Sequence, residues 1–493
     1  MEKDYLCRGI EFTDIHHLPY STNVIINHVM EKTWRWFGKN DKITLEMLRQ
    51  IGVEGIVTAL HDVPLGDVWT REQIRDLREY IEARGLRWSV VESLPVTETI
   101  KYGGADRDEQ IEIYKQSLRN LAAEGIYTVC YNFMPVLDWA RTDLLHPNAD
   151  GSSNLYFSYS EFAYFDIYIL KREGAREEWA AFRFPDGVGE GRNVLAEADA
   201  LAAQRTPEGD HRLVENIVIK TQGFVSGNFH EGDEHPLELF HQLLAKYEGI
   251  DKAQLQANMR YFLEAIMPVC EECGINMCVH PDDPPIPILG LPRIVRTAED
   301  IRWFLNAVPN FHNGLTFCAG SLSAGAGNDV VAMAREFAPR THFVHLRSCH
   351  IFPNGDFTEA SHLGGRADLI ELCRIFLQEE ARRQPSEAPG QASDIPGQAS
   401  DVPEQASDIP GQASDVPEQA SDIPGQASDT PSPSSCAVAG GVSASTTPLP
   451  FRVDHGRTML GDETRGYNAG DSFLGRMFAM AQMQGVLATL DHQ

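Results

Sequence analysis

The chain of 493 residues lacks any run of about 18 uncharged apolar residues, the length a membrane-spanning helix needs, so no membrane partner is expected. Its first 29 residues include Asp4, Glu11 and Asp14 and lack the basic start, apolar segment and small-residue cleavage site of a secretion signal. Basic residues are in deficit. Set against 71 Asp and Glu, the 42 Lys and Arg leave a net charge of −29, which repels a phosphate backbone and argues against nucleic acid as a partner. An anionic small molecule would therefore need a local positive site. Cysteine is sparse and odd in number, nine in a long chain, unlike a disulfide-stapled secreted domain, and this points to a reducing, cytoplasmic compartment. The CxxC at Cys270 and Cys273 has no second pair at zinc-ribbon spacing and reads as two helix residues one turn apart, before Gly274.

What is present is a steady alternation of short β-rich runs and longer helical patterns, the signature of βα units on a parallel sheet. Strand-like runs occur at 33–37, 54–60, 86–92, 126–133, 275–280, 313–319, 341–347 and 450–454. Helical spacing follows at 43–51, 71–84, 108–123, 252–272, 298–307, 328–338, 367–382 and 472–490, with Gly85, Gly125 and Gly274 as C-caps. Eight such units predict a single (β/α)8 TIM barrel over residues 30–493. Met30-Glu31-Lys32 resembles a second start, so residues 1–29 are expected to be a dispensable extension.

Two stretches break the rhythm. Residues 136–250, with charged helical fragments and acidic loops, are expected to form an inserted lid or subdomain after the fourth strand, on the catalytic face. Residues 385–448 hold a Pro/Ser/Asp-rich insertion before the eighth strand, in which six heptads of QASD(I/V/T)P start at 391, 398, 405, 412, 419 and 426. Proline in every heptad forbids a continuous helix and each copy has little to bury, so a disordered loop is expected, a tolerated repeat expansion rather than a partner site.

Barrel chemistry collects at the C-terminal strand ends. There the fifth strand ends at His280, the sixth at Cys318, the seventh at His345 and the eighth at Asp454-His455. Two imidazoles, a thiolate and a carboxylate suit a borderline transition ion, not Ca²⁺ or Mg²⁺. Arg347, two residues beyond His345, could hold a substrate carboxylate or be salt-bridged on the rim. His61, Glu92 and Asn132 end the second to fourth strands and could bind hydroxyls, while Trp34, Trp36 and Trp88 are expected to fill the barrel.

The segments WRWFG (34–38), GIVTALHDVP (55–64), WSVVES (88–93), TVCYNFMPVLDWARTDL (128–144), HPDDPPIPILGLPRIV (280–295), FVHLRS (343–348) and VDHGRTML (453–460) resemble the mannonate dehydratase family of the xylose-isomerase-like barrels. The likeness spans about 30–490 apart from the repeat. It implies dehydration of D-mannonate to 2-dehydro-3-deoxy-D-gluconate in hexuronate breakdown, with Mn²⁺ or Fe²⁺. Carried over position by position, it makes His280, Cys318, His345 and Asp454 the metal ligands, and Asp454, His455 and Tyr467 the catalytic candidates, with acid and base unassigned. One departure stands out: FTEASH (357–362) replaces FHEAAH, putting Thr358 where relatives have histidine.

Such an elimination removes a proton α to a carboxylate and expels hydroxide, which calls for a Lewis acid and general acid/base groups. The alternatives are a sugar isomerase or epimerase on the same barrel, whose ligands lean on Glu and Asp rather than Cys, and a non-catalytic barrel with a structural metal. A related DNA-repair nuclease is disfavoured by the charge. A homo-oligomer is compatible with everything above.

Overall fold

The structure is a computed structural model that describes residues 30–185, 187–222, 229, 235–384 and 448–491. The extension 1–29 and the repeat segment 385–447 lie outside the described residues. Eight strands close into a barrel: β1 (Glu31–Arg35), β2 (Gly55–Thr58), β3 (Arg87–Glu92), β4 (Thr128–Tyr131), β7 (Asn276–Val279), β8 (Asn313–Cys318), β9 (Thr341–His345) and β12 (Pro450–Arg452). Every neighbouring pair is parallel and follows chain order, as the eight βα units require. Each strand falls within or beside its expected run.

The helices follow from local signals. Over Arg71–Glu82, Thr70 and Gln73 form a reciprocal capping box, and Ile74, Leu77 and Ile81 repeat at helical spacing and are buried. Burial of each such aliphatic contributes about 1.5–3 kcal/mol. The chain then turns at Gly85, whose φ of 74° lies in the left-handed region. Inside the barrel, Val57, Val90, Cys130, Cys278 and Phe343 form one packed layer beneath the mouth. Trp34, Trp36 and Trp88, expected to fill the barrel, are buried instead in the main core with helix residues such as Leu48, Ile74 and Met480, outside that interior layer. Cys270 and Cys273 are both buried at the end of the helix Lys252–Cys273.

The insertion after β4 has a core of its own, including Phe157, Phe162, Phe165, Trp179 and Phe240. It also contributes a hairpin, β5 (Asp143–Pro147) and β6 (Ser153–Phe157). A second hairpin, β10 (Cys349–Ile351) and β11 (Phe357–Glu359), rises from the loop after β9 and joins the first in a four-stranded antiparallel sheet ordered β10-β11-β6-β5. Sequence periodicity misses this sheet because strands of three to five residues carry too few alternations to register, and the pairing joins positions about 200 residues apart. It also explains Thr358, whose hydroxyl donates to Leu155 O at 2.9 Å and so faces the inserted hairpin.

Glu380 is buried, with Leu449 N on Oε1 at 2.9 Å and no partner for Oε2 among the described residues. Burial raises its carboxyl to about 7, against the backbone donor and Arg383, which lower it. With the folded value above the unfolded one, the folded state holds the extra proton. Stability is full below about pH 4.5, falls up to about pH 7 and is flat above. Glu380→Gln should therefore melt higher than the parent at pH 8, with the advantage gone by pH 4.5; equal melting at both would contradict this.

Candidate functional site

The chain brings His280, Cys318, His345 and Asp454 together: one potential ligand atom from each lies within 4.8 Å of all the others. They stand at the ends of β7, β8, β9 and β12, so barrel closure converts sequence positions 174 residues apart into one cluster. Asp454 adopts φ = +53°, a left-handed conformation uncommon for a residue with a side chain and typical of functional sites. His280 Nδ1 lies 2.7 Å from Pro281 O. A carbonyl only accepts, so Nδ1 carries the proton and Nε2 keeps a lone pair, an arrangement common in metal-binding histidines. His345 Nδ1 is buried without a hydrogen-bond partner among the described residues, 3.5 Å from Asp454 Oδ2. Cys318 Sγ lies 3.6 Å from the same carboxylate. These donors fit a divalent transition ion.

An interlocked set of buried charges surrounds the cluster. Arg347 Nε donates to Asp454, Nη1 to both oxygens of Glu359 (2.9 and 3.0 Å), and Nη2 to Asp283 (2.7 Å) and Ser321 (3.0 Å). Gly320 makes this possible, since a Cβ there would lie 2.4 Å from Arg347 Cγ. Arg141, from the insertion, reaches Asp283 at 2.6 Å and Glu359 at 2.8 Å. Arg452 donates to Glu92 (2.8 Å), Asp454 (2.6 Å) and His345 Nε2 (3.0 Å), and Arg35 to Glu92 (3.0 Å). Burial alone would raise the Asp454 and Glu92 carboxyls, but the neighbouring arginines hold both well below the usual range. Glu359 is held at about 2 in the same way, by Arg347, His455 and Arg141 against burial.

A cavity of about 40 Å³, space for a few waters, adjoins the cluster. His280, Asp454, Glu92, Asn132, Arg347 and His455 line it, as do Arg35, Trp139 and Arg452. His455 Nδ1 lies 3.4 Å from Glu359 Oε1, and its ring lies 4.7 Å from that of Trp139. Asn132 Nδ2 donates to Asp138 at 2.6 Å. Two expected residues stand apart from this cavity: His61 is exposed beside Phe37, and Tyr467 packs partly buried against the main core. A larger cavity of about 1030 Å³ between the insertion and the barrel flank shares no lining residue with the cluster.

Sequence reasoning passed over Arg35, Arg141, Asp283, Glu359 and Arg452. Asp283 sits in HPDDPP three residues after His280, and Arg452 precedes Asp454 by the two-residue strand period, so adjacency to candidate ligands was the available signal. Arg141 and Glu359 had none, because only the second sheet brings them in.

A closed parallel barrel carrying a mixed nitrogen, sulfur and oxygen donor set and a polar cavity at its C-terminal mouth defines a TIM-barrel enzyme with a candidate metal centre. The chain belongs to the D-mannonate dehydratase (UxuA) family, whose model matches residues 30–493. It is 39% identical over 458 residues to a mannonate dehydratase of Marinomonas sp., covering 93% of this chain and 98% of that one. A mannonate dehydratase of Chromohalobacter salexigens is 38% identical over 465 residues, with the same coverage. The crystal structure of mannonate dehydratase from Streptococcus suis serotype 2 superposes with a TM-score of 0.62 at 28% identity, covering 94% of this chain and 95% of that one. Among the described residues no helix is long and apolar enough to cross a membrane.

Proposed function

We propose that the protein is a hydro-lyase that dehydrates D-mannonate to 2-dehydro-3-deoxy-D-gluconate, with His280, Cys318, His345 and Asp454 holding Mn²⁺ or Fe²⁺. The observation that carries the reading is the four-donor cluster beside a polar cavity, in a chain of the D-mannonate dehydratase family. A bound divalent cation would supply Lewis-acid stabilisation of the charge that develops when the proton α to the carboxylate is removed.

The protein's own groups carry the remaining work. Glu359 stays ionised and accepts from His455 Nδ1–H, so His455 Nε2 is the nitrogen left to take or return a proton at the cavity. Asp454, its basicity suppressed by Arg452 and Arg347, suits ligation better than proton abstraction. Tyr467, packed against the main core outside the cavity, is the second proton-transfer candidate on the family resemblance alone. Asn132 and Glu92 offer polar contacts to hydroxyls, and Trp139 an apolar face to the sugar carbons. Four guanidiniums, from Arg35, Arg141, Arg347 and Arg452, interlock with four carboxylates, from Glu92, Asp283, Glu359 and Asp454.

An epimerase or isomerase is not favoured, since Cys318 stands where a carboxylate ligand would be expected. A purely structural metal is disfavoured by the adjoining cavity. Protein reconstituted with Mn²⁺ or Fe²⁺ under reducing conditions is expected to convert D-mannonate to a 2-keto-3-deoxy acid. Absence of product with both ions would end the proposal.

A further inference from the structure

Three arginines line the cavity beside the metal cluster: Arg35, Arg347 and Arg452. Two are fully engaged. Arg347 directs Nε at Asp454, Nη1 at Glu359 and Nη2 at Asp283 and Ser321. Arg452 directs Nε at His345, Nη1 at Asp454 and Nη2 at Glu92. Arg35 differs. Its Nη1 donates to Glu92 at 3.0 Å, while its Nε is buried with no hydrogen-bond partner among the described residues. A buried N–H without an acceptor costs the desolvation of that group, and such orphans in native structures call for a specific reason. The side chain is only 11% exposed, so bulk water does not relieve it.

Arg35 is also fixed in place. It is the last residue of β1, so it projects at the barrel mouth, where its backbone carbonyl accepts from Arg476 Nη1 at 3.3 Å. Its guanidinium lies 5.2 Å from the Phe37 ring centroid. A rigid guanidinium with a donor to spare, beside a cluster that handles an acid, matches the fork geometry that recognises carboxylates. We infer that Arg35, rather than the fully engaged Arg347, receives the carboxylate of the sugar-acid substrate. This rests on the dehydratase reading above, and it makes Arg35 a binding residue that selects an acid over a neutral sugar.

The test compares wild type, Arg35→Gln and Arg35→Lys as metal-reconstituted full chains. Wild-type turnover of D-mannonate comes first, because its absence would strike the dehydratase reading and not the assignment of Arg35. Given wild-type activity, Arg35→Gln should raise KM for D-mannonate about 10- to 100-fold, the loss expected for a charge-assisted contact, with a smaller change in kcat and unchanged metal content. Binding of D-mannonate and of the uncharged D-mannonamide is then measured by calorimetry on each protein. Wild type should prefer the acid, Arg35→Gln should bind both alike, and Arg35→Lys, which keeps the charge, should retain part of the preference. If Arg35→Gln weakens the acid and the amide equally, the residue only props Glu92 and the inference falls. An unchanged KM in Arg35→Gln overturns it as well.

Discussion

Cys318→Ser protein is expected to lose its metal and, with it, turnover by well over 100-fold, while its barrel melts within a few degrees of wild type. Changes in groups that merely orient ligands commonly cost about 10–100-fold in metal affinity, so loss of a direct ligand should exceed that. The exchange replaces sulfur by oxygen at nearly constant shape, in a side chain that is wholly buried, so packing changes little. What changes is the donor. A thiol becomes a thiolate beside a cation, whereas a serine hydroxyl remains neutral and is a poor partner for a borderline ion. Cys130 and Cys278, buried lower in the same barrel, provide the contrast: their serine variants should leave the metal in place. Metal analysis after gel filtration, with circular dichroism as the fold check, decides the matter. Full metal content in Cys318→Ser would refute the ligand assignment.

The largest effect on stability is expected from Arg347→Met. Removing one guanidinium leaves Asp283, Glu359 and Asp454 buried, with Arg141, Arg452 and the weaker contacts of His455 and His345 to offset them. Breaking a buried ion pair from one side costs about 3–5 kcal/mol, so the melting temperature of metal-free protein should fall on the order of 10 °C. The loss should depend on pH. Glu359 titrates at about 2 in the fold against an ordinary 4.5, so its contribution is present above about pH 4.5 and disappears as pH falls towards 2. Asp283 and Asp454 shift in the same direction. The gap between Arg347→Met and wild type should therefore narrow on acidification through that window. A gap that stays constant down to the acid limit would mean that packing, not charge, carries the effect. Adding Glu359→Gln to Arg347→Met should cost less than the two separate losses combined, because the partners share one network.

The legibility of the site follows from how short-range each signal is. His280, Cys318, His345 and Asp454 could be found because each closes a recognisable β-rich run, and in a (β/α)8 barrel strand ends share one rim. Glu92 and Asn132 were accessible by the same rule and do line the cavity. That rule fails for side chains delivered by loops. His61 follows β2 and stays exposed, Tyr467 packs away from the cavity, and Glu359 enters on β11, a three-residue strand with no periodicity of its own. Arg347 shows a different limit. Its place on the rim was evident, but a guanidinium free for substrate and one engaged by three carboxylates have the same sequence, and only the positions of Asp283, Glu359 and Asp454 distinguish them.

By itself, the sequence determined the barrel, its strand order and the four-donor rim, because period-2 and period-3.6 patterns are local and a parallel βα chain has few ways to close. Tertiary structure decided the charge network and which of the cavity-lining arginines keeps an Nε without a partner among the described residues. Those depend on contacts such as Arg141 with Glu359, 218 residues apart, which no local pattern encodes. They arise because burial without a partner is costly, so the fold settles each charge against whichever opposite charge the closed barrel and the second sheet bring within reach.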